Sequence, residues 1–300
     1  MKKKNHIKLS ASDRIFHTIN TIIMILILVA ILYPLFFVIV ASVSKPEDIA
    51  NGGLLLWPKE LSFEGYKKIL EYEPLWRSYA NTIWYTILGT AINLVITIPC
   101  GFALAQKKLV GRKPIMLLFS FTMFFSGGAV PSFLLVKNLG LMDTVWALIL
   151  PGAASVWNII VTRTFMQTNI PNELRDAAYL DGADDFHFFG SIVLPCSKAI
   201  IAVMALFYAL GHWNNYYSAM IYLNSEYKYP LQLVIRNLII QNEINYQMVG
   251  AGGGTVAERA MIAEQLKYGV IVVASIPMML AYPFVSKYLE RGVMVGSVKE

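Results

Sequence analysis

The chain has 300 residues, of which 56% are hydrophobic and 15% are charged, and its formal net charge is +6. A soluble domain of this length usually carries about 25% charged residues, so the composition favours a protein embedded in lipid. The basic residues form no stripe interleaved with aromatic side chains, and we expect no nucleic-acid partner. The two cysteines, Cys100 and Cys196, belong to no CxxC motif or His/Cys cluster, so no metal site is expected.

Six uncharged apolar windows follow one another along the chain, and a helix needs about 20 such residues to cross a bilayer. The windows are Thr18–Val43, Ser78–Leu104, Ile115–Val136, Thr144–Thr162, Ala199–Ile221 and Tyr268–Val285. The first exceeds the roughly 7–15 apolar residues of a signal peptide and lacks a good A-x-A cleavage site, so we expect it to be retained. The sequence therefore predicts an all-α integral membrane protein with six transmembrane helices.

The charges between the windows predict the orientation of the chain. With the N-terminus inside, the inner segments contain 15 Lys and Arg against 8 Asp and Glu, and the outer segments contain 10 against 11. An excess of basic residues marks the cytoplasmic side, so we expect a multi-pass protein of the cell membrane with both termini in the cytoplasm. The predicted segments are an N-terminal tail (1–17), a transmembrane domain (18–285) with outer loops 44–77 and 222–267 and a cytoplasmic loop 166–196, and a C-terminal tail (286–300).

The cytoplasmic loop between the fourth and fifth windows encodes two short helices. Pro171 suits the first turn of a helix, and Gly182 suits a left-handed C-cap. Asp184 is placed to N-cap the second helix, and Pro195 is expected to break the chain before the fifth window. Such an element is either a structural connector or a surface that couples the membrane helices to a cytoplasmic partner.

This loop resembles the EAA loop of binding-protein-dependent ABC importers, whose pattern is E-A-A, three residues, G, about nine residues and I-x-L-P. The matching residues are Asp176-Ala177-Ala178, Gly182 and Ile192-Val193-Leu194-Pro195, with Asp176 standing where Glu is usual. Asp181-Gly182-Ala183 is similar to the D-G-A triplet of the sugar-importer branch. The resemblance implies a type I ABC importer permease fold with cytoplasmic coupling helices held in a cleft of an ATPase subunit. It assigns coupling to Glu173, Asp176, Ala177, Ala178, Asp181, Gly182, Ala183, Leu194 and Pro195.

Further matches resemble a subgroup of these permeases that is associated with oligosaccharides derived from polysaccharides. They include Phe125-Ser126-Gly127-Gly128, Leu139-Gly140-Leu141 and Tyr282-Pro283-Phe284, while Asn81-Thr82 resembles the N-T/S signature of the family as a whole. The resemblance implies a second permease subunit in a heterodimer, two ATP-binding-cassette ATPase subunits and an external solute-binding protein. ATP and Mg²⁺ are expected in the ATPase subunits, because this chain has no GxxxxGK[ST] loop. We expect no catalytic residue and no cofactor in this chain.

Polar and aromatic residues within the windows are candidates for the substrate path. In the fifth window these are Trp213, Asn214, Asn215, Tyr216 and Tyr217, and in the fourth they are Trp157 and Asn158. Aromatic rings can stack on sugar faces, and amides can bond hydroxyl groups. The alternative is an aromatic belt with bonds between helices. We expect His212 to pack or bond between helices, Gly127-Gly128 to pack closely or break a helix, and Asn81 to cap the second window.

Two other functions compete with the import of an oligosaccharide. A permease for a polyamine, a phosphate or a peptide would usually need counter-charges along its pathway, and the windows contain none. A secondary carrier would need an intramembrane carboxylate to bind or relay its ion. The uncharged windows therefore favour a neutral or weakly charged sugar.

Overall fold

The computed structural model describes residues 10–50, 56–240, 265–280 and 283, which contain helices, turns and one isolated bridge between Ser44 and Leu61. The helices are α1 (Ala11–Ser42), α2 (Pro46–Ala50), α3 (Glu64–Glu71), α4 (Glu73–Ala105), α5 (Arg112–Phe124), α6 (Ala129–Asn138), α7 (Val145–Ile149), α8 (Val156–Asn169), α9 (Asn172–Leu180), α10 (Asp185–Phe188), α11 (Leu194–Cys196), α12 (Lys198–Trp213), α13 (Tyr217–Tyr222), α14 (Leu231–Ile240) and α15 (Gln265–Leu280). Short 3-10 helices cover Leu150–Gly152 and Glu226–Lys228, and a π-helical turn covers Phe189–Val193. The all-α prediction is confirmed for these residues.

Several predicted segments extend beyond the described residues. Residues 1–9 of the N-terminal tail, residues 241–264 of the outer loop 222–267, and the tail 286–300 lie outside them. Of the Tyr282-Pro283-Phe284 match, only Pro283 is described. The outer loop 44–77 is described except for 51–55, and it contains α2, α3 and the start of α4.

Only some of the predicted windows form single helices. Within the described ranges, α1 and α4 are each long and apolar enough to cross a membrane alone. Three bent pairs reach the same length and apolarity: α5 with α6 (112°), Val145–Gly152 with α8 (50°), and Asp185–Cys196 with α12 (78°). Helix α15, in the sixth window, is a shorter apolar helix. The described residues therefore contain up to five spans by length and composition, and α15 is a further apolar helix below that length.

Local breaks interrupt the helices of windows three to five, and the one at Gly127-Gly128 is the helix break that the sequence offers there as an alternative to close packing. The third window is interrupted after Phe124, and Gly128 has φ +84°, a left-handed conformation that favours glycine. The fourth passes through a 3-10 turn containing Pro151 and Gly152. The fifth ends its first helix at Trp213 and starts α13 at Tyr217. Apolar composition does not reveal such breaks, since each window remains uncharged throughout.

Two groups of residues form compact units. The first contains residues 1–71 and 242–274. In it, Val40, Ala41 and Ile49 are buried, and Phe37 meets Tyr268 edge to face with ring centroids 5.7 Å apart. The Gln265 side chain is also buried and donates to the Ser62 carbonyl at 3.1 Å. The end of α1, the helices α2 and α3, and the start of α15 are therefore tied by apolar and polar contacts.

The second unit contains residues 72–241 and 275–300, and α4 is its central helix. Helix α4 packs along both α8 and α12. Thr97 on α4 and Tyr208 on α12 share a hydrogen bond of 2.6 Å in the buried interface. Gly101 allows α8 to approach, because a Cβ at this position would lie 2.7 Å from the Thr162 methyl group. Small residues and paired polar groups are the usual contacts between helices in lipid.

At one end of this unit, the loop between α6 and α7 is clasped to the segment after α13. The Asp143 carboxylate accepts from the backbone N–H groups of Asn224 and Ser225 (both 3.0 Å), the Ser225 hydroxyl (2.6 Å) and Lys228 Nζ (2.8 Å). These bonds hold the pKa of Asp143 well below its ordinary value, with the Lys228 bond as the largest cause, and raise the pKa of Lys228. We call these four residues the Asp143 clasp.

Asn81 and Thr82 tie α4 to the same segment. Asn81 Nδ2 donates to the carbonyls of Tyr227 (2.8 Å) and Tyr229 (3.2 Å), and Thr82 Oγ1 accepts from the backbone N–H of Leu231 (2.7 Å). The expectation that Asn81 caps a helix is wrong. Helix α4 starts at Glu73, with a proline in its first turn, so Asn81 lies within it.

Candidate coupling site

The loop between α8 and α12 has most of the local structure that its sequence predicts. Helix α9 is followed by Gly182 at φ +82°, which confirms the left-handed position after the helix. The Asp184 side chain accepts from the backbone N–H of His187 at 2.7 Å, which confirms it as the N-cap of α10. Pro171 lies one residue before the first helical residue, in extended conformation. The first helix and the start of the second are thus encoded locally.

The prediction that Pro195 breaks the chain is wrong. From Asp185 to Cys196 the chain stays helical through α10, a π-helical turn and α11, and Pro195 lies in the first turn of α11. The 78° bend comes after Cys196, where buried Ser197 separates α11 from α12. Pro195 is the second-last residue of this stretch and lacks one helical N–H donor, and the π turn directly before it has a wider hydrogen-bonding pattern that accommodates the change.

The inner face of the loop packs on the ends of α4 and α8. Ala178, Phe188 and Val193 are buried together with Ile98 and Met166. Phe102 lies against Phe189, with ring centroids 4.9 Å apart. These apolar contacts hold α9 and α10 against the ends of α4 and α8.

The outer face of the loop carries most of the predicted coupling residues. Glu173, Asp176, Ala177, Asp181, Gly182 and Pro195 are exposed, whereas Ala183 and Leu194 are half-buried. Two large apolar side chains on this face are nearly fully exposed, Leu180 at 90% and Phe186 at 87%. An acidic face with protruding apolar side chains is a surface that another protein can cover.

Arg175 joins the two short helices to the end of α4. Its guanidinium donates to the Tyr179 hydroxyl (2.8 and 2.9 Å), to Asp185 Oδ1 (3.3 Å) and to the Gln106 side-chain oxygen. The Tyr179 hydroxyl donates in turn to Asp185 Oδ1 at 2.5 Å, and this bond raises the pKa of Tyr179 above its ordinary value. Arg175 is mostly buried, with 15% of its side chain exposed. We call this group the Arg175 node.

Side chains from α8 complete the connection by capping α4. The last carbonyls of a helix have no partner within the helix. Arg163 Nε donates to the Leu104 carbonyl at 3.1 Å, and Gln167 Nε2 donates to the Ala105 carbonyl at 3.2 Å. The loop, α8 and the end of α4 are therefore linked by directional hydrogen bonds as well as by packing.

The structure divides the substrate-path candidates into buried and exposed residues. Trp213 is buried and meets Tyr79 on α4 edge to face, with ring centroids 6.4 Å apart. Asn158 is also buried, whereas Trp157 is 60% exposed. Trp213 and Asn158 are therefore packed within the chain, whereas Trp157 is exposed and can face a pathway or lipid.

The remaining candidates lie at the break between α12 and α13. Asn214 Nδ2 donates to the Leu210 carbonyl at 2.9 Å, and Asn215 Oδ1 accepts from the backbone N–H of Ser218 at 3.2 Å. Asn215 therefore caps the start of α13, whereas the Leu210 carbonyl also keeps its helical bond from the Asn214 backbone N–H. Tyr216 and Tyr217 are 43% and 53% exposed. These two rings remain available to contact a substrate.

His212 forms the bond between helices that the sequence predicts. Its Nε2 lies 2.7 Å from Asn93 Oδ1, so Nε2 donates and Asn93 accepts. Asn93 Nδ2 donates to the carbonyls of Gly152 and Ala153, both at 2.8 Å. The three helical segments that carry these residues thus meet at one buried amide.

Sequence reasoning missed the Arg175 node. The spacing of Arg175 and Tyr179 by four residues is a local signal, because such residues are neighbours on a helix surface. Gln106 carries no comparable signal, since it is 69 positions away from Arg175 along the chain. The sequence also does not predict the roles of Arg163 and Gln167. The carbonyls that they cap are determined by how α8 packs on α4.

Known proteins are similar to this chain in both sequence and fold. Residues 79–295 match the family described as "Binding-protein-dependent transport system inner membrane component". The chain belongs to this family. It is a multi-pass membrane permease of the binding-protein-dependent class, which works with ATPase subunits, and the matched residues include the whole candidate coupling loop.

Two relatives from Bacillus subtilis (strain 168) align over nearly the full chain. The "Polygalacturonan/rhamnogalacturonan transport system permease protein YtcP" is 39% identical over 89% of this chain and 92% of its own length. "Protein LplC" is 36% identical over 96% of both chains. A permease from the "Crystal structure of a bacterial ABC transporter involved in the import of the acidic polysaccharide alginate" is 30% identical, covers 94% of this chain and 99% of its own, and has a TM-score of 0.85. The fold is that of a type I ABC importer permease.

Proposed function

We propose that this permease forms half of the translocation pathway of an ATP-driven importer for an oligosaccharide. The observation that carries the proposal is the coupling loop, in which an exposed acidic face is fixed through Arg175 to the end of α4. A loop of this construction suits the transfer of movement from a cytoplasmic ATPase to a membrane helix. Glu173, Asp176, Ala177 and Asp181 are its exposed contact residues, and Ala178 anchors it.

The proposed assembly contains a second, similar permease, two ATP-binding-cassette ATPases and an external solute-binding protein. ATP and Mg²⁺ bind in the ATPases, and this chain binds no cofactor of its own. Both termini and the coupling loop lie in the cytoplasm, and the Asp143 clasp lies at the outer end. In support, the basic residues concentrate in the segments assigned to the inside.

The transport cycle is alternating access. Closure of the ATPases on ATP displaces α9 and α10, and the Arg175 node and the capped end of α4 pass this movement into the spans. Nucleotide shifts the equilibrium because the two conformations bind it with different affinity. Hydrolysis then returns the pathway to its inward-facing state.

The substrate class rests on the relatives and on the uncharged windows. The YtcP relative is named for polygalacturonan and rhamnogalacturonan, and the solved transporter for alginate, an acidic polysaccharide. The apolar windows contain no Asp, Glu, Lys or Arg to act as a counter-charge, and His212 in the fifth window is bonded to Asn93. An oligosaccharide bound through hydroxyl groups and ring stacking fits this pathway, and a uronic acid on it would need its counter-charge from outside the windows. A polyamine or phosphate permease would lack the counter-charge that its ligand needs.

The test is the ATPase activity of the reconstituted complex with its binding protein, across a panel of neutral and uronic-acid oligosaccharides. We expect one class of oligosaccharide to stimulate hydrolysis in the wild type. Gly182→Val should abolish this stimulation, because a left-handed φ costs a branched residue about 1–3 kcal/mol and would reshape the loop. A Cβ at Gly182 meets nothing within 4 Å, so the effect is backbone strain and not a clash.

Gly140→Val is the matched control. Gly140 also has positive φ (+69°) and open space around its Cα, but it lies between α6 and α7, away from the coupling loop. We expect it to keep stimulated hydrolysis. Gly182→Asn should also retain coupling, since asparagine tolerates this conformation. Stimulation only by polyamines or peptides would overturn the substrate class, and normal coupling in Gly182→Val would overturn the role of the loop.

A further inference from the structure

Four basic side chains surround a cavity of about 780 Å³ at the junction of α4, α5 and α8. Lys107 comes from the loop after α4, Arg112 and Lys113 from the first turn of α5, and Arg163 from α8. The positive charge of Arg112 acts on Arg163. We call this cavity the basic pocket. It is separate from the exposed face of the coupling loop, and of its four basic residues Arg163 is the one that also caps α4.

The charges of the basic pocket are not neutralised by this chain. None of the four side chains forms an ion pair within the residues that the structure describes. Arg163 uses its Nε to cap Leu104 and makes no other hydrogen bond there. Some basic residues elsewhere in the described part of the chain are paired, such as Lys45 with Glu60 and Lys228 with Asp143. Four like charges around one cavity repel one another, so the site is suited to an anion from outside.

The position of the pocket identifies the kind of anion. It lies where the apolar helix α4 ends and the apolar helix α5 begins, which is the level of lipid headgroups. The α5 side of the pocket is lined by Met116 and Leu117, and Leu117 is 71% exposed. Gly111 precedes α5 without a side-chain cap, so the positive end of that helix also faces this region. A cationic cavity with an adjoining apolar wall matches a charged headgroup attached to acyl chains.

We propose that the basic pocket binds the phosphate headgroup of an anionic phospholipid, with the acyl chains lying along Met116 and Leu117. Arg112 and Lys113 contact the phosphate, and Arg163 contributes charge while it caps α4. Bound lipid would relieve the repulsion among the four cations and brace the junction of α4, α5 and α8.

The experiment compares phosphatidylglycerol with phosphatidylcholine on the purified permease complex, by titration with each lipid and native mass spectrometry. We expect phosphatidylglycerol to bind preferentially. Arg112→Gln and Lys113→Gln should each weaken it about fivefold, the usual effect of one basic residue at an anionic surface. Arg112→Lys should retain binding. Lys137→Gln is the matched control, because Lys137 is exposed and lies at the end of α6, away from the pocket.

Three outcomes would overturn the proposal. Equal binding of the two lipids to the wild type would show that the headgroup charge is not recognised. Binding of inorganic phosphate alone, as tight as that of phosphatidylglycerol, would assign the pocket to a soluble anion. Loss of the ATPase subunit from Arg112→Gln and Lys113→Gln complexes, with lipid binding unchanged, would assign these charges to protein docking.

Discussion

Single buried polar residues decide how the spans of this permease fit together, and Asn93 is the clearest case. It is completely buried, and it satisfies two carbonyls at the break in the fourth window while accepting from His212. Lipid offers no donor to a carbonyl that a broken helix releases. A side-chain amide on a neighbouring helix therefore substitutes for the missing backbone donors, and the bend of 50° is stabilised from outside its own segment.

Gly89→Ala tests this arrangement without replacing Asn93 or His212. A Cβ on Gly89 would overlap the imidazole of His212, so the ring must move away from Asn93. We expect the substitution to destabilise the complex by about 1–3 kcal/mol, as overpacking usually does. Gly211→Ala is the control, since its Cβ would meet nothing within 4 Å and alanine favours a helix. The midpoint of thermal unfolding measures both, and equal midpoints for the two variants would contradict the role of His212.

Arg175→Gln tests the link between the loop and α4. Glutamine cannot reach Tyr179, Asp185 and Gln106 together, so we expect a stability loss of about 1–3 kcal/mol and a larger fractional loss of sugar-stimulated ATPase activity. Arg77→Gln removes an exposed ion pair with Glu73 within α4 and should change stability by less than about 1 kcal/mol. Basal and stimulated hydrolysis, measured with the unfolding midpoint, separate coupling from folding. Unchanged stimulation in Arg175→Gln would exclude Arg175 from coupling.

At the scale of elements, the sequence predicts helix caps formed by nearby residues correctly, but it does not reveal contacts between residues far apart in the chain. Gly182 and Asp184 were predictable because each acts on residues within three or four positions of itself. The break at Gly128 introduces no charge into the third window. A hydropathy profile therefore shows one apolar stretch there, although the chain bends by 112°. At Pro195 the sequence predicts a break, but the chain stays helical there because of the π-helical turn before it, and the bend follows Cys196. The partners of Arg175, Asn93 and Asn81 depend on tertiary packing.

The Asp143 clasp makes the stability of the segment after α13 depend on pH. A carboxylate whose folded pKa is lowered stabilises the fold above its ordinary pKa of about 3.9, and the effect is lost as the pH falls below that value. The raised pKa of Lys228 means that its contribution is present below about pH 10.4 and is lost at higher pH. The clasp is therefore intact at neutral pH.

Asp143→Asn should loosen the segment after α13 at neutral pH. Asparagine tolerates the positive φ of this position (57°), so the backbone is retained while the ion pair is lost. We expect the amide hydrogens of Asn224 and Ser225 to exchange several-fold faster than in the wild type at pH 7. The difference should shrink as the pH falls below about 3.9, because Asp143 then gains a proton whenever the segment opens, which favours the opened state of the wild type. Asp48→Asn, which removes a long ion pair with Lys59 (3.9 Å), is the control. Equal exchange at pH 7 would contradict the clasp.

For the whole molecule, two patterns read from the sequence agree with each other. The positive-inside count places the loop after α4 in the cytoplasm, and the EAA resemblance places the loop after α8 there as well. In the structure the two loops lie side by side, joined by Arg175 and Gln106. Two segments in contact outside the spans must lie on the same side of the membrane, so the contact supports one common assignment for both.

Labelling of single cysteines tests that assignment. In a background of Cys100→Ser and Cys196→Ser, a cysteine replaces Lys59 before α3, Lys108 after α4 or Glu226 after α13, all of them exposed. A membrane-impermeant maleimide applied to spheroplasts should label positions 59 and 226, because they belong to the predicted outer segments. Position 108 should react only after the membrane is permeabilised, since its loop is basic and contacts the coupling loop. Labelling of position 108 in sealed spheroplasts would invert the orientation, and the coupling loop would then face away from any cytoplasmic ATPase.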